Sequence, residues 1–138
     1  MGAPYVHQLR VRYLECDPQG VVGHPRYLGY FDVAMTEMWR QAIGPWGETV
    51  AGGADCVVAE STLRYLAPAR FDDVLDIAVA VRRLGNTSMV LGFEARRGED
   101  LLVSAENRYV FVRAGTHEKT PIPDEVREAL APFAEAAA

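Results

Sequence analysis

Polar and apolar side chains alternate along the first segment of the chain, Tyr5 to Leu14. A period of two residues is typical of a β-strand that has one face in water. The predicted inward row consists of Tyr5, His7, Leu9, Val11 and Tyr13. The chain is therefore expected to begin with a strand, followed by a loop rich in glycine and proline.

A long amphipathic helix is predicted next, beginning near His24 or Pro25. Proline is accepted in a first helical turn because an N–H group there has no helical partner. Apolar residues recur at spacings of three and four, which predicts one broad buried stripe. This stripe consists of Tyr27, Leu28, Phe31, Ala34, Met35, Met38 and Ala42. Gly44 and Pro45 are expected to end the helix.

Four further alternating segments predict four strands in a meander, and a short helix from Pro123 to Phe133 closes the chain. Gly85-Asn86 and Gly98-Glu99 are typical of the turns of tight hairpins. The predicted inward rows are Val57, Ala59, Leu63 and Tyr65; Leu75, Ile77, Val79 and Val81; Met89, Leu91, Phe93 and Ala95; and Leu101, Val103, Ala105, Tyr109 and Phe111.

An antiparallel sheet with one apolar face must cover that face, and the long helix is the only predicted element large enough to do so. The fold class is therefore α+β, with a five-stranded antiparallel sheet wrapped around one long central helix. The length of 138 residues suits a single domain over residues 1–138.

Composition narrows the possible partners. The net charge of −5 argues against nucleic acid, which usually needs a basic surface. We expect Cys16 and Cys56 to be reduced thiols of a cytoplasmic protein, without a signal peptide or membrane insertion. No metal-ligand spacing and no glycine-rich phosphate loop occurs in the sequence, so neither a metal nor an organic cofactor is expected.

Candidate chemistry lies in the loop before the long helix. Asp17 precedes Gly20 and Gly23, which allow a ligand to approach the backbone closely. The first turn of a helix offers unpaired N–H groups and a positive dipole end, which would polarise a thioester carbonyl. Asp17 could then attack the carbonyl carbon or take a proton from water, and His24 could assist proton transfer.

A simpler reading of the same residues stays open. Asp followed by Pro and Gly is typical of a turn whose carboxylate caps nearby N–H groups. A histidine near a helix start is often a surface or capping residue. Composition and periodicity do not decide between a structural and a catalytic Asp17.

The loop resembles the signature of the 4-hydroxybenzoyl-CoA thioesterase family, which includes thioesterases associated with the Tol–Pal system. The matching positions are Arg12, Glu15, Asp17, Gly20, Val21, Val22, Gly23, His24 and Tyr27. The later segments Tyr65 to Val74 and Leu84 to Ser88 are also similar to the family. The resemblance implies a hotdog fold, a homodimer or homotetramer, and Asp17 as nucleophile or general base. It also implies that a backbone N–H near His24 polarises the thioester carbonyl, with His24 beside it.

Substrate-binding roles follow from the same resemblance for Gly20, Val22, Gly23 and Tyr27. Gly23 stands where many relatives carry Tyr or Trp, so a roomier pocket is expected. Three further residues complete the predicted binding set. Ser61 interrupts an apolar row as a potential pocket hydroxyl, and Arg82 and Arg83 would contact the phosphates of coenzyme A.

The leading hypothesis is a thioesterase that hydrolyses acyl-CoA to the free acid and CoA. The first alternative keeps the chemistry but releases an acyl or polyketide chain from the phosphopantetheine of an acyl carrier protein. The second alternative is a non-catalytic hotdog module that binds an acyl ligand, because a fold does not fix a function.

Overall fold

The computed structural model describes residues 3–135. Five strands and three α-helices form one layer of sheet and one principal layer of helix. The strands are β1 (Tyr5–Arg10), β2 (Ala54–Tyr65), β3 (Val74–Leu84), β4 (Ser88–Arg97) and β5 (Asp100–Arg113). The helices are α1 (Arg26–Ala42), α2 (Trp46–Ala51) and α3 (Asp124–Leu130). Short 3₁₀ turns occupy Tyr13–Glu15 and Ala131–Phe133.

The five strands form one antiparallel sheet in the order β1-β3-β4-β5-β2. The predicted hairpins at Gly85 and Gly98 are confirmed, and Gly98 adopts φ +60°, which favours glycine. The predicted four-strand meander is wrong for β2. Both edges of β3 are occupied by β1 and β4, so β2 pairs along the free edge of β5 instead.

The core lies between α1 and the sheet. The predicted inward rows of β3 and β4 are confirmed, since every member of both rows is buried. At its centre, the ring of Phe31 from α1 stacks on Phe93 from β4 with 4.9 Å between ring centroids. Leu28 was predicted in the helical stripe but is exposed, whereas Tyr30 and Trp39 are buried. Leu28 follows Tyr27 by about 100° around the helix axis, which turns it away from the sheet.

The first strand is shorter than predicted. β1 ends at Arg10, and the chain turns through the 3₁₀ segment, which leaves Tyr13 79% exposed and outside the inward row. The short helix α2 was not predicted. It packs beside α1 through Trp46, whose ring lies 4.5 Å from that of Trp39.

The helix covers only part of the sheet. α1 packs on β1, on β3 and on Phe93 of β4, and it leaves residues 58–65 of β2 largely exposed on the helix side. On that face Val58 is 51% exposed and Tyr65 is 49% exposed. The open strip ends at Tyr65, beside the start of α1, so one end of the sheet is accessible to a ligand or a partner.

The packing of Phe93 predicts a large loss of stability on truncation. Replacing Phe93 by Ala leaves a cavity under Phe31 and should lower the free energy of unfolding by about 3–5 kcal/mol. Urea denaturation measures this change. The matched control Phe71→Ala removes an exposed ring and should cost about 0.5 kcal/mol or less. Equal losses for both variants would contradict this description of the core.

Candidate active site

Glu15 anchors the loop that leads into α1. Its carboxylate accepts hydrogen bonds from the Arg12 backbone N–H at 2.7 Å and the Tyr30 hydroxyl at 2.9 Å. The Arg12 guanidinium binds the other carboxylate oxygen at 3.1 Å. Burial alone would raise the pKa of Glu15, but these hydrogen bonds outweigh burial and hold the pKa below its ordinary value. Glu15 is therefore charged, buried and fully engaged in holding the loop.

Asp17 sits in a tight turn two residues later. Its backbone N–H donates to the Val21 carbonyl at 2.8 Å, and its carbonyl accepts from the Gly20 N–H at 2.9 Å. Gly20 adopts φ +80°, a conformation that favours glycine. The Oδ1 atom of Asp17 accepts the Gln19 N–H at 2.8 Å. The turn-capping reading is thus correct for one carboxylate oxygen, while Oδ2 has no hydrogen-bond partner among residues 3–135.

The start of α1 presents an unused donor. The Gly23 N–H donates to the Glu15 carbonyl at 3.0 Å, and the Arg26 N–H donates to the Gly23 carbonyl at 2.9 Å. No side chain caps this helix end, where Pro25 is the N-cap residue. Within the part of the chain that the structure describes, the His24 N–H has no acceptor. An anion or a polarised carbonyl oxygen is the natural partner for such a group.

An open cleft of about 380 Å³ lies in front of these groups. Its two walls are the segment from Asp17 to Tyr27 and the segment from Tyr65 to Pro68. The walls are joined at their base, because the Val22 N–H donates to the Ala69 carbonyl at 2.9 Å. The lining residues are Asp17, Gln19, Val21, Val22, His24, Tyr27, Tyr65, Leu66, Ala67 and Pro68.

Aromatic side chains form one side of the cleft. The Tyr65 hydroxyl donates to the His24 carbonyl at 3.1 Å, and its ring meets the His24 ring edge-on with 6.1 Å between centroids. Tyr27 is buried behind Tyr65, and burial raises the pKa of its hydroxyl. Sequence reasoning did not assign Tyr65 to the site. Its only signal was a place in the second segment that resembles the family.

The predicted site residues divide into those that line the cleft, those that shape the loop and those that lie away from the cleft. Asp17, Val22, His24 and Tyr27 come together in the cleft lining. Gly20 shapes the turn behind Asp17 and does not line the cleft.

Gly23 forms part of the helix start, but it does not line the cleft. A side chain at this position would point toward Arg26, Glu15 and Pro25, each at an ordinary 3.8 Å. These three residues line a separate groove on the other side of the loop. Gly23 thus lies beside that groove, and the roomier pocket stays a prediction.

Ser61, Arg82 and Arg83 lie away from the cleft of the same chain. Ser61 stands on the open face of β2, opposite Asn107 of β5. Arg82 lies flat across β4, where a Cβ atom on Gly92 would approach its Nε to 2.3 Å. Its guanidinium forms ion pairs with Glu106 and Glu135, so its charge is already neutralised. The structure does not support Arg82 as a phosphate contact for a ligand in this chain's own cleft.

Two negative observations apply to residues 3–135. No helix in this range is long and apolar enough to cross a membrane. No group of three or more His, Cys, Asp or Glu side chains in the same range is arranged to hold a metal ion.

Comparison with known proteins identifies relatives over most of the chain. The sequence model of the thioesterase-like superfamily matches residues 11–130. The acyl-CoA thioester hydrolase YbgC of Escherichia coli is 36% identical over 99 residues, which cover 72% of this chain and 69% of the relative. The 4-hydroxybenzoyl-CoA thioesterase of a Pseudomonas species is 28% identical over 93 residues, covering 65% of this chain and 66% of the relative.

Among solved structures, a hypothetical protein from Aquifex aeolicus superimposes with a TM-score of 0.87 at 26% identity. The match covers 92% of this chain and 99% of that protein. The expected hotdog fold is confirmed, because the five-stranded antiparallel sheet around one long helix recurs in the matching family and structures.

The anchoring role of Glu15 predicts a pH-dependent stability. Its lowered pKa means that its contribution is complete above the ordinary value of 4.5 and is lost as the pH falls through the lower folded-state pKa. Glu15→Gln should lower the free energy of unfolding by about 2 kcal/mol at about pH 7. The difference from wild type should shrink toward about pH 3, as urea denaturation at both pH values will show.

Glu60→Gln is the matched control, because Glu60 is exposed and lies 3.9 Å from Arg108. This variant should keep the wild-type pH profile. A Glu15→Gln protein as stable as wild type at both pH values would contradict the anchoring role.

Proposed function

Because the chain belongs to the thioesterase-like superfamily and is a thioester hydrolase, we propose that it hydrolyses acyl-CoA to the free acid and CoA in the Asp17 cleft. The observation that carries this proposal is that Asp17 and His24 line one cleft and that each has an unused group. Within residues 3–135, Oδ2 of Asp17 accepts no hydrogen bond and the His24 N–H has no acceptor. The names of the E. coli and Pseudomonas relatives support CoA as the carrier.

The two groups divide the chemistry between them. The His24 N–H and the positive end of α1 stabilise the negative charge that develops on the thioester oxygen. Asp17 either attacks the carbonyl carbon directly or takes a proton from the attacking water. If Asp17 attacks, the carbon–sulfur bond breaks to leave an anhydride between the acyl group and Asp17, and water then hydrolyses this anhydride to the free acid and restores the carboxylate. If Asp17 acts as a base, water adds to the carbonyl carbon directly and the carbon–sulfur bond breaks as the tetrahedral intermediate collapses. In both routes the CoA thiolate leaves and acquires a proton.

His24 has a supporting role in this scheme. Its imidazole lies at the open side of the cleft, in edge-on contact with Tyr65. From there it can exchange a proton with the attacking water or with the departing thiolate. Val22 and Tyr27 supply apolar wall for the acyl group.

An acyl carrier protein is the second candidate substrate carrier. The observation that favours it is the pairing of Arg82 with Glu106 and Glu135, which leaves the nucleotide of CoA without this predicted contact. A carrier-bound phosphopantetheine would present the same thioester without that nucleotide. Family membership gives no support to a non-catalytic acyl-binding module.

Removal of the Asp17 charge tests the proposed chemistry. Asp17→Asn keeps an Oδ1 acceptor for the Gln19 N–H, so the turn should be preserved while hydrolysis falls by about 10²–10⁴-fold. Thiol release from a panel of acyl-CoAs measures the rate. The control Asp72→Asn changes an exposed loop carboxylate and should retain wild-type activity.

The same assay with matched acyl carrier protein thioesters identifies the carrier. A much higher turnover on the carrier-bound acyl group would favour the second candidate. An Asp17→Asn variant with the wild-type rate on every substrate would remove Asp17 from the proposed role.

We infer that the protein assembles as a homodimer or homotetramer through β2. This strand is twelve residues long and pairs only with β5 within residues 3–135, so its other edge is open. Val57 and Val58 are exposed along it. A long apolar edge is a template for pairing with another chain. The β1 edge offers less surface, because β1 has only six residues.

A charge on the open strip should weaken this assembly. Wild type should sediment as two or four copies of the 15.2 kDa chain, and Val58→Lys should shift it toward one copy. Val6→Lys places the same charge on an exposed residue of β1 and should leave the assembly unchanged. A monomeric wild-type protein in analytical ultracentrifugation would contradict the inference.

A further inference from the structure

Tyr65 connects the two walls of the cleft. It is the last residue of β2, and its hydroxyl donates across the cleft to the His24 carbonyl at 3.1 Å. The described walls are also joined by the backbone bond from Val22 to Ala69 and by the buried Tyr27 hydroxyl, which is hydrogen-bonded to the Ala69 backbone. Tyr65 is the exposed side chain that connects the wall of the helix start to β2 at the open side of the cleft.

Both peptide groups that flank the His24 Cα atom are held at their carbonyl oxygens. The Gly23 carbonyl accepts the Arg26 N–H at 2.9 Å. Because a peptide group is planar, this bond also sets the direction of the His24 N–H, which belongs to the same plane. The following carbonyl, that of His24, accepts the Tyr65 hydroxyl. Loss of either bond would allow the His24 backbone to rotate.

The surroundings of Tyr65 favour a role in orientation over a role in folding. Its ring packs edge-on against His24 and Tyr27, with 5.8 Å between the Tyr65 and Tyr27 centroids. The side chain is 49% exposed, so the core does not depend on it. The hydroxyl can be removed while the ring and its packing stay in place.

We propose that Tyr65 is a positioning residue, whose hydroxyl holds the His24 backbone so that the unpaired His24 N–H meets the thioester oxygen opposite Asp17. This inference rests on the proposed hydrolysis at the Asp17 cleft. Donors that stabilise a developing oxyanion are effective because they are fixed before the reaction. A loosened donor loses this advantage chiefly in the transition state, so kcat falls while KM changes little.

Tyr65→Phe tests the inference by removing one oxygen atom. We expect kcat for acyl-CoA hydrolysis to fall about tenfold, with KM within about twofold of wild type. Tyr13→Phe is the matched control, because the Tyr13 hydroxyl is exposed and forms no hydrogen bond within residues 3–135. This control should keep the wild-type kcat.

Two non-hydrolysable CoA analogues separate orientation from packing. A fluorinated ketone analogue, with a difluoromethylene group in place of sulfur, is hydrated at its carbonyl and presents a tetrahedral oxygen like that of the transition state, whereas an S-alkyl thioether has no such oxygen. Tyr65→Phe should weaken binding of the ketone analogue severalfold and leave binding of the thioether unchanged. An unchanged kcat, or an equal loss of affinity for both analogues, would overturn the role of Tyr65. Failure of the proposed function is a separate result, because Asp17→Asn would then keep the wild-type rate.

Discussion

The buried carboxylate of Glu15 is the constraint on which the site depends. It joins the segment that follows β1, through Arg12, to the second turn of α1, through Tyr30. Its own carbonyl receives the Gly23 N–H, which fixes the start of the helix. A buried carboxylate that accepts this many hydrogen bonds is costly to displace, because movement would leave the buried charge without its donors. The hydrogen bond from the Gly23 N–H to the Glu15 carbonyl closes the loop that contains Asp17. Asp17 and His24 line one cleft because of this closure.

The sheet illustrates which parts of a fold a sequence determines locally. The rows from Leu75 to Val81 and from Met89 to Ala95 alternate strictly, and both are buried as predicted. The strand that pairs with β2 could not be predicted from alternation, because pairing depends on which strand edges the other strands leave free. The six-residue helix α2 is too short for a periodic signal. Leu28 was misplaced because spacing alone does not show where the stripe ends.

The candidate site was predictable only in its first segment. The pattern around Asp17 admitted a capping turn and a catalytic loop; the structure contains the capping turn, and the catalytic role stays a prediction. One oxygen of Asp17 caps its turn, and the other accepts no hydrogen bond from residues 3–135. The contact of Tyr65 with His24 and the ion pairs of Arg82 escaped sequence reasoning because the partners lie 41 and 24 or more residues away. Contacts between residues so far apart in the sequence do not affect the local spacing of polar and apolar residues.

The uncovered strip beside β2 follows from the relative widths of the two layers. Five strands at about 4.8 Å spacing make a sheet roughly 20 Å wide between its outer strands. One helix with its side chains is only about 10–12 Å across. The side chains of α1 cover the inward rows of β3, β4 and β5, so the exposed strip on the helix side lies on β2, at the edge of the sheet. A sheet that is wider than its single helix therefore leaves space for another molecule along β2, and no loop is needed to form that space.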